Sequence, residues 1–367
     1  MLKAGICAPY TKSENTLAAV QFADWLVRCG FEVSFISSTK ISQGLHPYWD
    51  THVSRNTNRN IYKWAYGASH LCWFEPALAD WNTAKLVTLE NRKRSVQNLF
   101  FPGFMRWNSD ADYFLAFSDK TICLAQDIST WLKSFRKEPS PQDFQLSRRT
   151  WANLVSPSKV LAAKYGYIEK DAPRLFVFCL KEWDIDLPQD FLMLFDELLS
   201  YNSKVRITIA FDKTIATKHR KTLKAFKLQH GDRFEWKTRL SWFELLSEAR
   251  KHDWVYVAGT RFTYGSLFSL FAASTVPLIC HDIPPIGAHV SDKANGKLIP
   301  CGLSKARVPI GEVRLQDIGE TLFEAMELPH VSIKALQIAG RKFYEKKQES
   351  FERFVHREIV GCENSLI

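Results

Sequence analysis

Between Arg239 and Gly302 the chain changes its hydrophobic period three times, and this alternation constrains the fold more than any other feature. Apolar residues at Trp242, Phe243, Leu245, Leu246 and Ala249 recur with a helical period, which predicts a helix over Trp242–Ala249. Trp254–Ala258 is a short run rich in β-branched and aromatic residues, bounded by Asp253 and Gly259, and reads as a buried strand. Thr260–Ser266 is a hydroxyl-bearing loop with one glycine, Leu267–Ala273 a second apolar helix, and Val276–Cys280 another strand. Together they make a β-loop-α-β unit. Parallel sheets bind ligands beyond the carboxyl ends of their strands, and a helix opening near Gly265 would aim free N–H groups at an anion. Most such units carry no ligand, so the pattern bears on fold before function.

The chain opens in the same manner. Ala4–Ala8 reads as a strand, Pro9–Thr16 as a polar loop, Leu17–Cys29 as a helix and Phe31–Ser37 as a second strand. Thr16 is placed to cap that helix and Gly30 to end it in a left-handed residue. The loop holds Tyr10, Thr11, Lys12, Ser13, Glu14 and Asn15 where dinucleotide enzymes carry glycines, which disfavours a dehydrogenase. His70–Phe74 and Lys85–Leu89 are further expected strands, followed by Glu75 and Glu90, and Asp112–Phe117 is another. Leu154–Ala172, with Pro157 and Gly166 inside it and Pro173 after it, is the expected linker. Beyond it come a strand at Leu175–Cys179, a loop at Leu180–Pro188, a helix at Gln189–Ser200 and a strand at Val205–Phe211; helices fill Leu315–Ile359. The expected architecture is α/β, with one Rossmann-like domain over residues 1–160, a second over 173–340 and a terminal helix over 341–367.

A chain of 367 residues suits two domains, and a 46% hydrophobic content supplies their cores. No apolar run reaches the length of a bilayer span, and because the first residues already read as a strand, no signal peptide is expected among them. The eight cysteines show no paired spacing. The expectation is a cytoplasmic chain with reduced, buried thiols. The formal charge of +10 calls for an anionic partner: nucleic acid, an anionic membrane surface or a nucleotide. Basic residues gather over Lys213–Lys227, where a solvated helix face is the bland reading, and at Arg92, Lys93 and Arg94. Around His46–Gly67 aromatic and basic residues interleave, a pattern that can stack on bases while neutralising phosphates. Trp73, inside a strand, is read as core. For Trp49 and Trp64 stacking and packing are both open.

The serial order of features in the second half resembles the C-terminal domain of family-4-type, GT-B-fold glycosyltransferases. There a helix ending in Ala-Arg-Ala-Asp leads to a strand, a Gly-rich turn, a helix ending before Leu-Pro-Val-Val, and an Asn-Gly-Leu-Leu-Val-Pro-x-Gly segment. The counterparts here are Glu248–Asp253, Trp254–Ala258, Thr263–Ser266, Ser274–Ile279 and Asn295–Gly302, and the likeness covers most of Pro173–Ile359. The resemblance implies two Rossmann-like domains facing across a cleft, and transfer of a sugar from a nucleotide diphosphate sugar, a UDP-sugar first, to an acceptor hydroxyl. No further cofactor is implied. The resemblance implies metal independence, and no Cys/His cluster of metal-ligand spacing stands against it.

By the same resemblance Lys181, Arg261, Thr263, Tyr264, Gly265 and Ser266 would hold the donor diphosphate, while Thr238 and Leu240 would flank the base through their backbone. Lys12, Ser13, Glu14, His46, Arg92, Lys93 and Arg94 would meet the acceptor, with Glu90 or Glu75 as its base. The family's two glutamates, eight residues apart, fall here on Phe262 and Leu270, whose side chains neither accept a hydrogen bond nor hold a charge. That departure leaves retention or inversion open. Separately, only Lys181 stands where the family has a basic pair for the donor diphosphate. The acceptor expected first is a hydroxymethylated pyrimidine in duplex DNA, since phage DNA glucosyltransferases share the fold and the basic character. The alternatives are a glycan or lipid-linked sugar at the cytoplasmic membrane face, and a non-catalytic nucleotide-sugar-binding protein.

Overall fold

The computed structural model of the protein describes residues 2–10, 14–37, 41, 45, 48–55, 61, 64–74, 87, 90, 96–101, 118–123, 148–151, 172–179, 189–211, 213–238, 240–259, 268, 271, 276–283, 290–291, 294–304 and 311–360. They form two compact units. The first takes in the described residues of Met1–Ser158 and of Lys347–Ile367, the second those of Lys159–Phe262 and Phe268–Lys346.

The first unit is built on strands β1 (Lys3–Ala8), β2 (Glu32–Ser37), β3 (Val53–Arg55), β4 (His70–Phe74), β5 (Gln97–Phe101), β6 (Lys120–Cys123) and β7 (Arg148–Trp151). Their spatial order is β3-β2-β1-β4-β5-β6-β7, and every neighbouring pair is parallel. β4 is buried along its whole length and β1 in all but its first residue, as expected where both faces of a parallel sheet are covered. The helix Glu14–Arg28 contributes Phe22, whose ring lies 5.8 Å from Phe74 and 4.8 Å from Phe101. Trp64 crosses Gly5 so closely that a β-carbon there would collide with its ring, which is why this strand position is glycine.

Trp49, Trp64 and Trp73 are all buried. The Trp49 indole donates to Asp24 Oδ1 at 2.7 Å, and that of Trp64 to the Ser34 carbonyl at 3.0 Å. The open question about Trp49 and Trp64 is therefore resolved in favour of packing.

Two expectations need correction. Val87 and Glu90 are helical, so no strand covers Lys85–Leu89, and the strand that follows β4 is β5. A short apolar run does not distinguish helix from strand by period alone. The first helix begins at Glu14 rather than Leu17, and Thr16, already inside it, donates its hydroxyl to the Pro9 carbonyl at 2.7 Å instead of capping. Asp112–Phe117 lies outside the described residues.

The second unit carries β8 (Arg174–Cys179), β9 (Arg206–Phe211), β10 (Phe234–Thr238), β11 (Trp254–Val257), β12 (Leu278–His281) and β13 (Gly296–Ile299) in the order β10-β9-β8-β11-β12-β13, again all parallel. The helix Gln189–Tyr201 sets Phe191, Phe195, Leu198 and Leu199 into one core with Leu175, Val177, Ile207 and Tyr256, and the helix Leu315–Glu327 adds Ile318, Leu322 and Ala325. The amino ends of the strands are fastened by polar groups. Asp253 accepts from the Arg174 N–H at 2.9 Å, and buried His252 meets Thr208 Oγ1 and the Glu248 carbonyl, each at 2.9 Å. In the Asn-Gly pair, Asn295 Oδ1 accepts from the Ser291 N–H at 2.6 Å, and a β-carbon on Gly296 would strike the Leu278 carbonyl oxygen. That motif has a packing cause.

The long helix His330–Val355 places Ile333 and Leu336 in the core of the second unit. From Lys347 onward it counts with the first, where Glu352 pairs with Arg28 at 3.8 Å and the His356 ring stands edge-on to Trp25 at 5.5 Å.

Candidate functional site

In the second unit the strand order reverses direction between β8 and β11. From β8 the chain goes on to β9 and β10 on one side; from β11 it goes on to β12 and β13 on the other. Ligands of open α/β sheets bind in the crevice outside such a reversal. Phe178 and Val257 are in register, and the Ala258 N–H donates to the Phe178 carbonyl at 3.1 Å. The chain therefore leaves Cys179 and Ala258 level at the carboxyl edge, with Gly259 one residue further on. Lys181, Arg261, Thr263, Tyr264, Gly265 and Ser266, which follow these two exits, lie outside the described residues, as do Phe262 and Leu270. Thr238 closes β10 at the same carboxyl edge, two strands from β8, and half-buried Leu240 precedes the Ser241 cap of the helix Trp242–Ala249.

Under the exit at Gly259 lies a group that the sequence reading passed over. His281, the last residue of β12, is 1% exposed; its Nδ1 is 2.6 Å from the Gly259 carbonyl oxygen and its Nε2 is 3.0 Å from the hydroxyl of buried Tyr256. A carbonyl oxygen only accepts, so Nδ1 carries the ring proton, and Nε2 accepts from Tyr256. Burial pushes the imidazole down to about 4, which keeps it neutral. The Ile283 N–H donates to the His281 carbonyl at 2.8 Å, tightening the turn after β12, and the Asp282 N–H donates to Ile299 at 2.8 Å. Burial also pushes the neighbouring Cys179 thiol up to about 12 and that of Cys280 well above its usual range. These thiols are inert packing groups. A His-Asp pair closing an apolar strand was the only signal of this cluster in the sequence.

The first unit repeats the arrangement. Its order reverses between β1 and β4, whose carboxyl ends lie together with Cys7 opposite Trp73. Lys12 and Ser13 follow β1 and Glu75 follows β4; all three lie outside the described residues, and Glu14 is the first residue of the helix. The exit from β1 is pinned by buried Tyr10. Its N–H donates to Ser37 Oγ at 3.0 Å and its hydroxyl to Asp50 Oδ1 at 2.8 Å, while Asp50 also accepts from the Leu45 N–H. Burial and then the Asp50 carboxylate push the Tyr10 phenol up. His46, beside Leu45, lies outside the described residues, as do Arg92, Lys93 and Arg94.

Glu90 is exposed and helical, in the connection from β4 to β5 and seven residues before Gln97 opens β5. It does not stand at the carboxyl end of a strand. The basic segment forms the helices Lys213–Lys218 and Arg220–His230, with Leu223 and Phe226 buried and Lys218, Arg220, Lys221 and Lys224 exposed. That is a solvated amphipathic face.

No protein-family model matches this chain, and no curated protein does. Solved structures match along nearly its whole length. HepE from Anabaena, in complex with UDP and glucose, has a TM-score of 0.70 at 11% identity, covering 99% of this chain and 100% of its own. Sucrose-phosphate synthase from Thermosynechococcus elongatus gives 0.67 at 10% identity, over 98% and 100%. A glycosyltransferase from Rickettsia africae gives 0.65 at 12%, over 99% of both chains. At such identities the likeness is one of fold: the chain has the GT-B architecture of two Rossmann-like units, each on a parallel sheet.

Proposed function

From this fold we propose that the protein transfers a sugar from a nucleotide diphosphate sugar, most simply a UDP-sugar, to an acceptor hydroxyl. The observation that carries the reading is the pair of chain exits after Cys179 and Ala258, adjacent at the point where the second sheet reverses. HepE, which shares the fold, is described in complex with UDP-glucose and with UDP. A departing diphosphate needs positive charge and oriented N–H groups. In this reading Lys181, Arg261 and Thr263–Ser266 supply them, and Thr238 and Leu240 flank the base. No metal takes part. Because Phe262 and Leu270 replace two carboxylates, grip on the donor depends more heavily on Lys181 than the family pattern requires.

For the acceptor, charge alone fits DNA and an anionic membrane surface equally. Trp49 and Trp64 are buried, which counts against stacking on bases. We therefore take a glycan or lipid-linked sugar as acceptor, met by Lys12, Ser13, Glu14, His46 and Arg92–Arg94 of the first unit, with Glu75 rather than Glu90 as its base. The replaced glutamates favour one second reading, a protein that binds the donor without turnover.

Titration calorimetry with UDP and GDP tests the donor site. Lys181→Ala should cost roughly 1.5–3 kcal/mol of binding; if it and Gly265→Val both leave affinity unchanged, the site is elsewhere. Labelled UDP-glucose offered with hydroxymethylated duplex DNA in one tube and glycolipid in anionic vesicles in another separates the acceptors. Tight donor binding with incorporation into neither supports the binding-protein reading.

A further inference from the structure

A buried histidine with both ring nitrogens engaged is a fixed strut, and two among the described residues of the second unit stand at opposite ends of β11. His252, before its amino end, ties Thr208 to the Glu248 carbonyl and so fastens elements of the fold to each other. His281 is placed differently. Gly259 lies two residues past the end of β11, beyond the last pair of its ladder with β12, Val257 opposite Cys280. Its carbonyl is met there by the His281 side chain, 2.6 Å away, and the ring is locked from behind by Tyr256 at 3.0 Å.

We propose that His281 is a positioning residue for nucleoside diphosphate binding, with Tyr256 as its orienter: together they fix the backbone at Gly259 from which the 260–266 segment departs. The ligand named here rests on the donor reading above; the hold on the chain does not.

Three observations carry the proposal. The hydrogen-bond directions are forced, since the carbonyl can only accept and the phenol supplies the remaining proton, so the imidazole has one tautomer and one orientation. The residue is 1% exposed and its ring is held at both nitrogens, by the Gly259 carbonyl on one side and the Tyr256 hydroxyl on the other. The strut sits at the carboxyl edge beside the sheet's reversal, where a small displacement of backbone N–H groups is felt by a bound anion. Neutrality suits the role, because a charged ring would have to donate from both nitrogens and turn the Tyr256 hydroxyl away.

The test compares His281→Leu, His281→Asn, His281→Gln, Tyr256→Phe and His252→Leu in the full chain. UDP affinity is read by calorimetry and amide exchange over 260–266 by mass spectrometry. Asparagine places an N–H donor near the Nδ1 position, whereas glutamine places its amide near Nε2, away from Gly259. Loss of one such contact should weaken UDP binding about tenfold in His281→Leu and His281→Gln, with faster exchange over 260–266. His281→Asn should recover to within about threefold of the native protein. Tyr256→Phe should fall between them. His252→Leu should lower the melting temperature while leaving UDP affinity and exchange over 260–266 unchanged.

Native affinity and native exchange in a folded His281→Leu protein would overturn the proposal. Should that variant fail to fold, equal behaviour of His281→Asn and His281→Gln would overturn it instead. If the native protein binds neither UDP nor GDP, the donor reading fails, and exchange over 260–266 alone then decides whether His281 holds the segment.

Discussion

His281 is neutral in the folded protein because burial disfavours its charged form, so this ring couples folding to pH. Its folded value of about 4 lies below the ordinary 6.5 of an unfolded chain. Between those values the unfolded state binds more protons, and stability rises with pH. The contribution is complete above about pH 6.5 and is lost as the pH falls toward 4, amounting to roughly 3 kcal/mol for a group this buried. Urea denaturation between pH 7.5 and 4.5 should show that decline, and His281→Asn should flatten it. Glu90 gives the contrasting case. It is exposed, and it precedes the amino end of β5 instead of ending a strand. Glu90→Gln should leave turnover within about twofold of native, whereas Glu75→Gln should reduce it by 10²-fold or more, the usual range for loss of a general base. Initial-rate assays on the two variants check this.

At the scale of elements, the helix Trp242–Ala249 shows how local chemistry positions a candidate contact. Ser241 accepts from the Glu244 N–H at 3.3 Å and the Glu244 carboxylate accepts from the Ser241 N–H at 2.7 Å, a reciprocal cap set one residue after Leu240. Ser241→Ala should cost about 1 kcal/mol, read from the urea midpoint. Such elements were legible where a strand is apolar throughout, as β11 is, or apolar after its first residue, as β8 and β4 are, or where a helix keeps a clean period. β5 was missed because it opens Gln-Asn, and Asn98 is nevertheless fully buried, its N–H held by Asp119 at 2.6 Å. Lys85–Leu89 was misread because five apolar-leaning residues are too few to define a period. The contact between Tyr256 and His281 could not be read at all. The two residues are 25 apart in sequence and meet only through the parallel register of β11 and β12.

Across the whole molecule, the order of features identified the architecture although identity to the matching structures is only 10–12%. Cores of this kind require apolar pattern and volume more than particular residues. The helix His330–Val355 adds a dependency that pattern does not show, since the first unit draws on Lys347 and beyond. A chain stopped after Lys346 would lose the Arg28–Glu352 pair and the packing of His356 on Trp25, and would uncover Cys29, whose sulfur is 4.0 Å from His356 Nε2. Its Cys29 should react faster with a thiol reagent, and the first unit should unfold at lower urea. The second unit, keeping Ile333 and Leu336, should hold its midpoint; intrinsic fluorescence and thiol labelling across a urea series separate the two. The same connectivity sets a timetable at the ribosome. The 188 residues from 159 to 346 (346 − 158) are made before the last piece of the first unit appears, roughly 10–40 seconds at ordinary elongation rates. During that interval the nascent first sheet is an incomplete body with Trp25 uncovered, a surface for chaperones, while the later-made second unit can already close.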